Sequence, residues 1–238
     1  MSICILQKKI EINFVDFNYP KQKLETKMEL FDFQPAFVQD LEFLEELKNF
    51  LDDQEVFVYN HRGKPLKSRP KLEFRLKEDL FYRWGQHKTD YLLGFNEFPE
   101  ILIRLKNIIG DESINHIIVT KYTTGNNHIP WHQDKQEGVS GAGAKDIVAG
   151  TKIYNLIICD NPRRFQLAEP SKIGKKGECS EFVFDELLDN GSLLTLTAEG
   201  NKQLLHRVPK EKHWNGIRYS IVFRTVKEET QTRKRKRE

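Results

Sequence analysis

The chain has 238 residues, of which 38% are hydrophobic and 31% charged, a composition typical of a soluble globular protein large enough to bury a core. No apolar run approaches the roughly 20 residues that cross a bilayer, and Met1 to Ile10 is too short for the apolar segment of a signal peptide. We therefore expect an intracellular, soluble, monomeric protein without membrane contacts.

The cysteine spacing and the distribution of charge limit the kinds of protein that this sequence can encode. Cys4, Cys159 and Cys179 show no C-x-x-C spacing, which predicts reduced thiols and argues against a disulfide framework or a zinc finger. The net charge is only +3, but five consecutive basic residues occupy 233–237. Residues 229–238 are therefore predicted to form a disordered basic tail. Such a run fits a nuclear localisation signal in a eukaryotic cell, or an arm that binds nucleic acid.

Residues 1–68 are predicted to form an N-terminal extension packed on the core. Partly alternating apolar residues from Ile3 to Phe17 predict one or two strands. Glu55 to Tyr59 also has a strand-like pattern, whereas Asn60 to Pro70 is polar and rich in turn residues, as in an exposed loop. Between them, apolar residues at helical spacing predict one amphipathic helix from Pro35 to Leu51; they are Phe37, Leu41, Leu44, Leu47 and Leu51.

The segment from Leu72 to Tyr91 mixes aromatic with basic side chains. Flat rings stack on unpaired bases while Arg and Lys contact phosphates, which is how proteins hold single-stranded or flipped bases. Burial in the core is an equally good interpretation of Phe74, Phe81 and Trp84, since most aromatic side chains are buried. A second helix is predicted to begin near Pro99 and end at Gly110.

A candidate metal site follows. A strand is predicted at His116 to Tyr122, then a turn, then a second strand that includes His132 and Asp134. Residues two apart in a strand share a face, so these two side chains can bind one metal ion together. His128 and His132 also have the spacing of a helical zinc-protease site. Pro130 disfavours that helix, and the catalytic glutamate of H-E-x-x-H is missing.

The remaining chain is predicted to be rich in short strands. Gln136 to Gly150 holds four glycines and three alanines, which predicts a long, mobile loop beside the metal site. Strands separated by turn residues at intervals of about 8 to 12 residues then favour a sandwich or barrel. They are predicted at Lys152 to Cys159, Arg163 to Leu167, Glu181 to Phe184, Gly191 to Leu196 and Gln203 to Val208.

A double-stranded β-helix, a relative of the jelly roll, would bring His206 to the same mouth as His132 and Asp134. Two histidines and one carboxylate form the facial triad that leaves open positions on non-haem Fe(II). Arg218 and Arg224 lie on one face of a predicted strand, roughly 20 Å apart at about 3.3 Å per residue. Their guanidinium groups suit the two ends of a short diacid.

Three segments in this order resemble the AlkB family of Fe(II)- and 2-oxoglutarate-dependent dioxygenases, which carry H-x-D, a distal His and R-x-N-x-T-F-R. The segments are Tyr122 to Asp134, His206 to Lys210 and Arg218 to Arg224. The resemblance covers about Arg69 to Val226 and implies an α+β fold with a double-stranded β-helix core, N-terminal helices and a nucleotide-recognition lid. The implied domain is 69–228, with the lid at 69–95.

The resemblance also implies roles for individual residues. The iron ligands would be His132, Asp134 and His206, and O2 would react at the iron. Residues predicted to hold 2-oxoglutarate are Tyr122, Arg218, Ser220, Arg224 and Thr120, and residues predicted to hold the substrate in the lid are Lys71, Tyr82, Arg83 and Trp84.

Some positions depart from the family pattern. Ser220 stands where the family has Asn, Val222 where it has Thr, and Thr120 where it often has Asn. Ser220 and Thr120 are still able to donate a hydrogen bond to the co-substrate, whereas Val222 is not.

Three functions are compatible with the sequence. The first is oxidative demethylation of N-alkylated bases in DNA or RNA. The second is an oxygenase of the same fold that acts on a protein or a small molecule, which is favoured if the aromatic and basic segment belongs to the core. The third is a catalytically inactive β-domain that binds nucleic acid. Turnover of 2-oxoglutarate separates the third from the first two.

Overall fold

The computed structural model describes residues 30–55, 60–61, 64–65, 71–77, 80, 83–84, 87–88, 97–139 and 146–228. Of residues 60–61, 64–65, 83–84 and 87–88 it describes the backbone alone. The strands predicted between Ile3 and Phe17 and the basic tail lie outside the described residues. The predicted division of the chain at residue 68 stays a prediction.

Two antiparallel sheets face each other and form the core. The larger has six strands in the order β1-β12-β9-β14-β7-β4, and the smaller has four in the order β11-β10-β13-β8. Two short hairpins, β2-β3 and β5-β6, complete the described strands. The bounds are β1 Phe31–Gln34, β2 Asn60–His61, β3 Lys64–Pro65, β4 Lys71–Arg75, β5 Arg83–Trp84, β6 His87–Lys88, β7 His116–Thr124, β8 Ile129–His132, β9 Ile153–Cys159, β10 Arg163–Ala168, β11 Phe184–Leu188, β12 Leu193–Leu196, β13 Leu205–Val208 and β14 Asn215–Arg224.

Alternation along the central strands creates two separate apolar layers. In β14, Tyr219, Ile221 and Phe223 belong to a cluster shared with the helices, whereas Val222 packs against the cluster between the sheets. Successive side chains of a strand point to opposite faces, so one strand serves both layers. The jelly-roll-like core predicted from the sequence is confirmed, with its interior face available for a site.

Three α-helices are described, two of which cover the outer face of the larger sheet. They are α1 (Leu41–Asp52), α2 (Glu100–Ile109) and α3 (Ala198–Gln203), and α1 and α2 supply buried leucines to the outer layer. The predicted span of α2 is confirmed, with Gly110 at its C-terminus in the left-handed region at φ 75°. None of the described helices has the length and apolar composition needed to cross a membrane.

The predicted start of α1 at Pro35 is wrong. Asp40 accepts a hydrogen bond from the Phe43 amide and caps the helix there. The preceding residue Val38 donates its amide to the Gly191 carbonyl at 3.0 Å, which holds this stretch outside the helix. As a result Leu41, predicted to be buried, is 74% exposed.

Three other local predictions need correction. The loop predicted at Asn60 to Pro70 contains the β2-β3 hairpin, and the strand predicted at Glu181 to Phe184 instead begins at Phe184. The loop predicted from Gln136 to Gly150 has buried ends, because Gln136 forms a β-bridge with Ile147 and both side chains are almost fully buried. Residues 140–145, between these ends, lie outside the described residues.

Candidate functional site

Strand pairing in the smaller sheet brings the predicted metal ligands together. His132 ends β8 and lies opposite His206 of β13, and the centres of the two imidazole rings are 4.1 Å apart. The strand predicted to include Asp134 ends at His132, so that prediction is wrong by two residues, and Asp134 lies just beyond the strand. The ligand atoms of His132, Asp134 and His206 all lie within 4.8 Å of one another, a grouping that could hold one metal ion.

Both imidazoles are suited to metal binding. The Nδ1 atom of His132 lies 2.9 Å from the Pro130 carbonyl oxygen, which only accepts, so Nδ1 carries the proton and Nε2 keeps its lone pair. Burial lowers the pKa of His206 to about 3, with a further contribution from the neighbouring His132. His206 is therefore neutral at physiological pH, the form in which imidazole binds metals.

Asp134 is buried but ionised. Burial by itself raises the pKa of this carboxyl group. The nearby positive charges, of which Arg224 contributes most, together outweigh that effect, so that the pKa lies below its ordinary value. The Arg224 Nη2 atom donates to Asp134 Oδ1 at 2.8 Å. A carboxylate beside two neutral imidazoles is the donor set of the facial triad, so these side chains fit a divalent iron ion.

The three side chains open into one cavity between the two sheets. Its volume is about 230 Å³, enough for a small organic acid but small for a whole nucleotide. One wall is apolar and comes from both sheets, and the other is polar. The apolar wall consists of Ile118, Ile129, Ile153, Phe165, Leu194, Leu196, Val208 and Val222.

Lys71 lies in the polar wall. The sequence predicted it to bind the substrate as part of the lid. Lys71 lies in β4 and its side chain is almost fully buried. Its Nζ donates to Thr120 Oγ1 at 2.6 Å, so the Thr120 hydroxyl hydrogen stays available to a ligand in the cavity. The cation therefore faces the same cavity as the candidate metal ligands.

The hydroxyl group of Ser220 already has a hydrogen-bond partner in the polar wall. Its hydroxyl donates to Asn155 Oδ1 at 2.6 Å, and both residues line the cavity. In this structure the hydroxyl hydrogen of Ser220 is used by Asn155, and the role of Ser220 toward a co-substrate stays a prediction. The amide nitrogen of Asn155 becomes the donor that this pair offers to the cavity.

Arg218 is a buried cation beside Tyr122. Its side chain is fully buried, and its guanidinium nitrogens make no hydrogen bond of good geometry within the described part of the chain, although the Tyr122 hydroxyl is close enough to act on it as a hydrogen-bond partner. Its carbon Cζ lies 5.0 Å from the centre of the Tyr122 ring, and Tyr122 lines the cavity. Burial lowers the pKa of Arg218, partly offset by Tyr122 and Cys159.

Arg163 is a second buried arginine, and its guanidinium group has several hydrogen-bond partners. It is also fully buried, and its Cζ lies 5.2 Å from the centre of the Tyr122 ring. Its guanidinium donates to the backbone carbonyls of Thr124, Gly125, Asn127 and Pro209. Leaving a buried polar group unpaired is costly, and the four backbone acceptors of Arg163 meet that requirement more fully than the Tyr122 side chain does for Arg218.

The predicted lid is described only in part. Tyr82 lies outside the described residues, and for Arg83 and Trp84 the backbone alone is described, as strand β5. Phe74, in the same aromatic and basic segment, is 5% exposed and packs in the outer apolar layer with Phe50. For this residue the core interpretation is the right one.

Sequence reasoning missed two asparagines of the site. Asn155 is a polar residue inside the otherwise apolar strand β9, and such an interruption of a buried strand is a recognisable signal. Asn201 gives no such signal, because it lies in α3, where Gly200 disfavours a helix. A side chain at position 200 would meet the Leu30 carbonyl oxygen at 1.8 Å, so tertiary packing requires that glycine.

Comparison with known proteins gives a likeness at the level of the fold. No family model matches the chain, and no curated protein matches it. Among solved structures, the chain is similar to OsALKBH1, with a TM-score of 0.52 and 14% sequence identity over 82% of this chain and 97% of that chain. The likeness shows an AlkB-like fold.

Proposed function

We propose that the protein is an Fe(II)- and 2-oxoglutarate-dependent dioxygenase that removes alkyl groups from nitrogen atoms of bases in DNA or RNA. The observation that carries the proposal is the presence of His132, Asp134 and His206 in one cavity, near the buried cation Arg218. The AlkB-like fold supports the proposal, because a ligand set of this kind is expected between its two sheets.

Iron bound to the three side chains would, together with 2-oxoglutarate and O2, supply the oxidising power that hydroxylates a C–H bond next to nitrogen. Arg218 would bind a carboxylate of 2-oxoglutarate through two parallel hydrogen bonds. Arg224 keeps the Asp134 carboxylate ionised and fixes one of its oxygens. The apolar wall excludes water from the reacting atoms. Each task is assigned to side chains already in place before any ligand binds.

The substrate itself must lie largely outside the cavity. A volume of about 230 Å³ holds the co-substrate and the target alkyl group but not a nucleotide. The base would therefore be held at the mouth, where we propose that Tyr82, Arg83 and Trp84 receive it. Stacking of a base on an aromatic ring typically contributes about 1 to 3 kcal/mol.

A second candidate is an oxygenase of the same fold that acts on a protein or a small molecule. The burial of Phe74 favours it, because one ring of the proposed base-binding segment is structural. The two candidates share the chemistry of the site and differ only in what is held at the mouth.

The test is a panel of oligonucleotides that each carry one N-methylated base, in DNA and in RNA, incubated with protein, Fe(II), 2-oxoglutarate and O2. Mass spectrometry follows the loss of each methyl group, with His132→Ala as the inactive control. Loss of methyl groups from at least one oligonucleotide supports the proposal. Turnover of 2-oxoglutarate that responds to peptides or small molecules and never to an oligonucleotide establishes the second candidate. The absence of any turnover would favour the third function, a catalytically inactive domain that binds nucleic acid.

A further inference from the structure

The backbone of Asp134 lies where the smaller sheet has already ended. The last residue of β8 is His132, which lies opposite His206, and Asp134 has no strand residue opposite it. A carboxylate on such a segment is not held by a ladder of backbone hydrogen bonds. Arg224 holds one oxygen of the carboxylate, and the backbone that carries it must be fixed by contacts outside the sheet.

The side chain of Asn201 takes the place of the missing strand. Asn201 Oδ1 accepts from the Asp134 amide at 3.0 Å, and Asn201 Nδ2 donates to the Asp134 carbonyl at 3.1 Å. The carboxamide thus forms the same pair of bonds that a neighbouring strand residue would form. Asn201 is fully buried, so water does not compete with these bonds.

Asn201 is also connected in two further directions. Its Nδ2 donates to Gln136 Oε1 at 3.2 Å, and Gln136 in turn donates to the carbonyls of Val148 and Thr151. Asn201 itself belongs to α3, which leads directly into β13 and His206. One carboxamide therefore joins the segment before His206 to the backbone that carries Asp134.

We propose that Asn201 is a positioning residue of the candidate metal centre, one that acts through the backbone of Asp134. It fixes the carboxylate at the distance from His132 and His206 that a single ion requires, before the ion binds. The inference rests on the proposed iron site and adds to it a residue that does not touch the metal. Outer residues that orient metal ligands commonly change metal affinity by about 10- to 100-fold.

The experiment compares Asn201→Ala with wild-type protein by calorimetric titration with Mn(II), which takes the place of iron without oxidation. We expect Asn201→Ala to weaken Mn(II) binding by about 10- to 100-fold. Melting temperatures of the metal-free proteins, measured alongside, report the stability of the fold separately from metal affinity.

Asn115→Ala is the matched control. Asn115 makes the same pair of bonds to the backbone of Val226, at 2.9 and 2.8 Å, but to none of the three candidate ligands. We expect this variant to lower the melting temperature while Mn(II) affinity stays within about twofold of wild type.

Each outcome decides something. Equal Mn(II) affinity of wild-type and Asn201→Ala protein would overturn the inference, as would an equal loss in both asparagine variants. An Asn201→Ala protein that is unfolded even at saturating Mn(II) would assign the residue to the fold and would also overturn it. If wild-type protein binds neither Mn(II) nor Fe(II), the proposed function fails, a result that differs from all of the others.

Discussion

Arg224 and Asp134 form a buried ion pair, with the guanidinium Nη2 atom 2.8 Å from the carboxylate oxygen Oδ1. Both side chains are nearly inaccessible to water. The pair joins β14 of the larger sheet to the end of β8 in the smaller sheet, so it links the candidate co-substrate strand to a candidate metal ligand. A role for Arg224 in binding 2-oxoglutarate remains a proposal, and its observed contact is to Asp134.

Replacing Arg224 with Met should therefore destabilise the protein. Loss of one partner of a buried ion pair typically costs about 3 to 5 kcal/mol, because the remaining charge is left uncompensated. The matched control is Arg104→Met, since Arg104 pairs with Asp40 and Glu46 at 3.6 and 3.7 Å on the surface. We expect the control to cost at most about 1 kcal/mol. Urea unfolding measures the loss of unfolding free energy in both variants. Equal losses would contradict the predicted contribution of the buried pair.

The ion pair between Arg224 and Asp134 also predicts that the stability of the protein falls in acid. The pKa of Asp134 is lower in the folded protein than its ordinary value of 3.8, so the unfolded chain binds the proton more readily. This contribution to stability is present above pH 3.8 and is lost as the pH falls through the folded value. In Asp134→Asn the metal-free protein should lose less stability over that acid range than wild type. Unfolding free energies from pH 6 to pH 2 test it, and parallel curves would refute the assignment.

Arg218→Met should separate stability from function. Arg218→Met loses the contact with Tyr122 but also relieves the burial of a charge, so the stability of the metal-free protein should change by less than about 1 kcal/mol, while the concentration of 2-oxoglutarate needed for half-maximal turnover rises sharply. Arg163→Met is the contrasting variant, because it deprives four backbone carbonyls of their donor and should destabilise the protein. An Arg218→Met protein that is less stable, with an unchanged 2-oxoglutarate requirement, would contradict the anion-binding role.

The histidine and aspartate variants should differ from one another. His132→Ala should abolish turnover with little loss of stability, since His132 is only half-buried. Asp134→Ala should abolish turnover and also lower the melting temperature, because Arg224 is left without its carboxylate. Activity assays paired with thermal melts check this. Substantial turnover in either variant would remove that residue from the ligand set.

Cys159 should resist thiol reagents in the folded protein. Burial raises the pKa of its thiol to about 12, although the nearby Arg218 acts in the opposite direction. The thiolate is the reactive form, so Cys159 should stay unmodified at pH 9 until the protein unfolds. Peptide mapping after iodoacetamide treatment measures the modification, with the more accessible Cys179 as the internal reference. Equal modification of both cysteines in native protein would contradict the burial of Cys159.

Much of the site could be predicted because it depends on spacing within strands. His132 and Asp134 are two residues apart, His206 lies on a strand of its own, and Arg218 precedes Arg224 by an even number of residues. Strand periodicity therefore determines which side chains share the interior face. Most strands of the β-rich half were predicted close to their observed bounds, but β8 ends before Asp134 and β11 begins at the last residue of its predicted strand.

The remaining features depend on contacts between distant segments. Nothing near Ser220 in the sequence shows that its hydroxyl is taken by Asn155, 65 positions earlier. The contact of Asn201 with Asp134 joins residues 67 positions apart. The start of α1 is likewise set in part by a bond from Val38 to Gly191. Such pairings are decided by tertiary packing, which a single sequence does not display.

The most direct test of the central claim is conversion of 2-oxoglutarate to succinate by purified wild-type protein, measured with and without Fe(II) and compared with His206→Ala. His206 is buried within the ligand set, so its loss should remove the ion from the cavity. The account predicts succinate formation that requires Fe(II) and disappears in His206→Ala. Equal succinate formation by both proteins would contradict this prediction. So would the absence of succinate when wild-type protein is incubated with Fe(II) and the panel of methylated oligonucleotides.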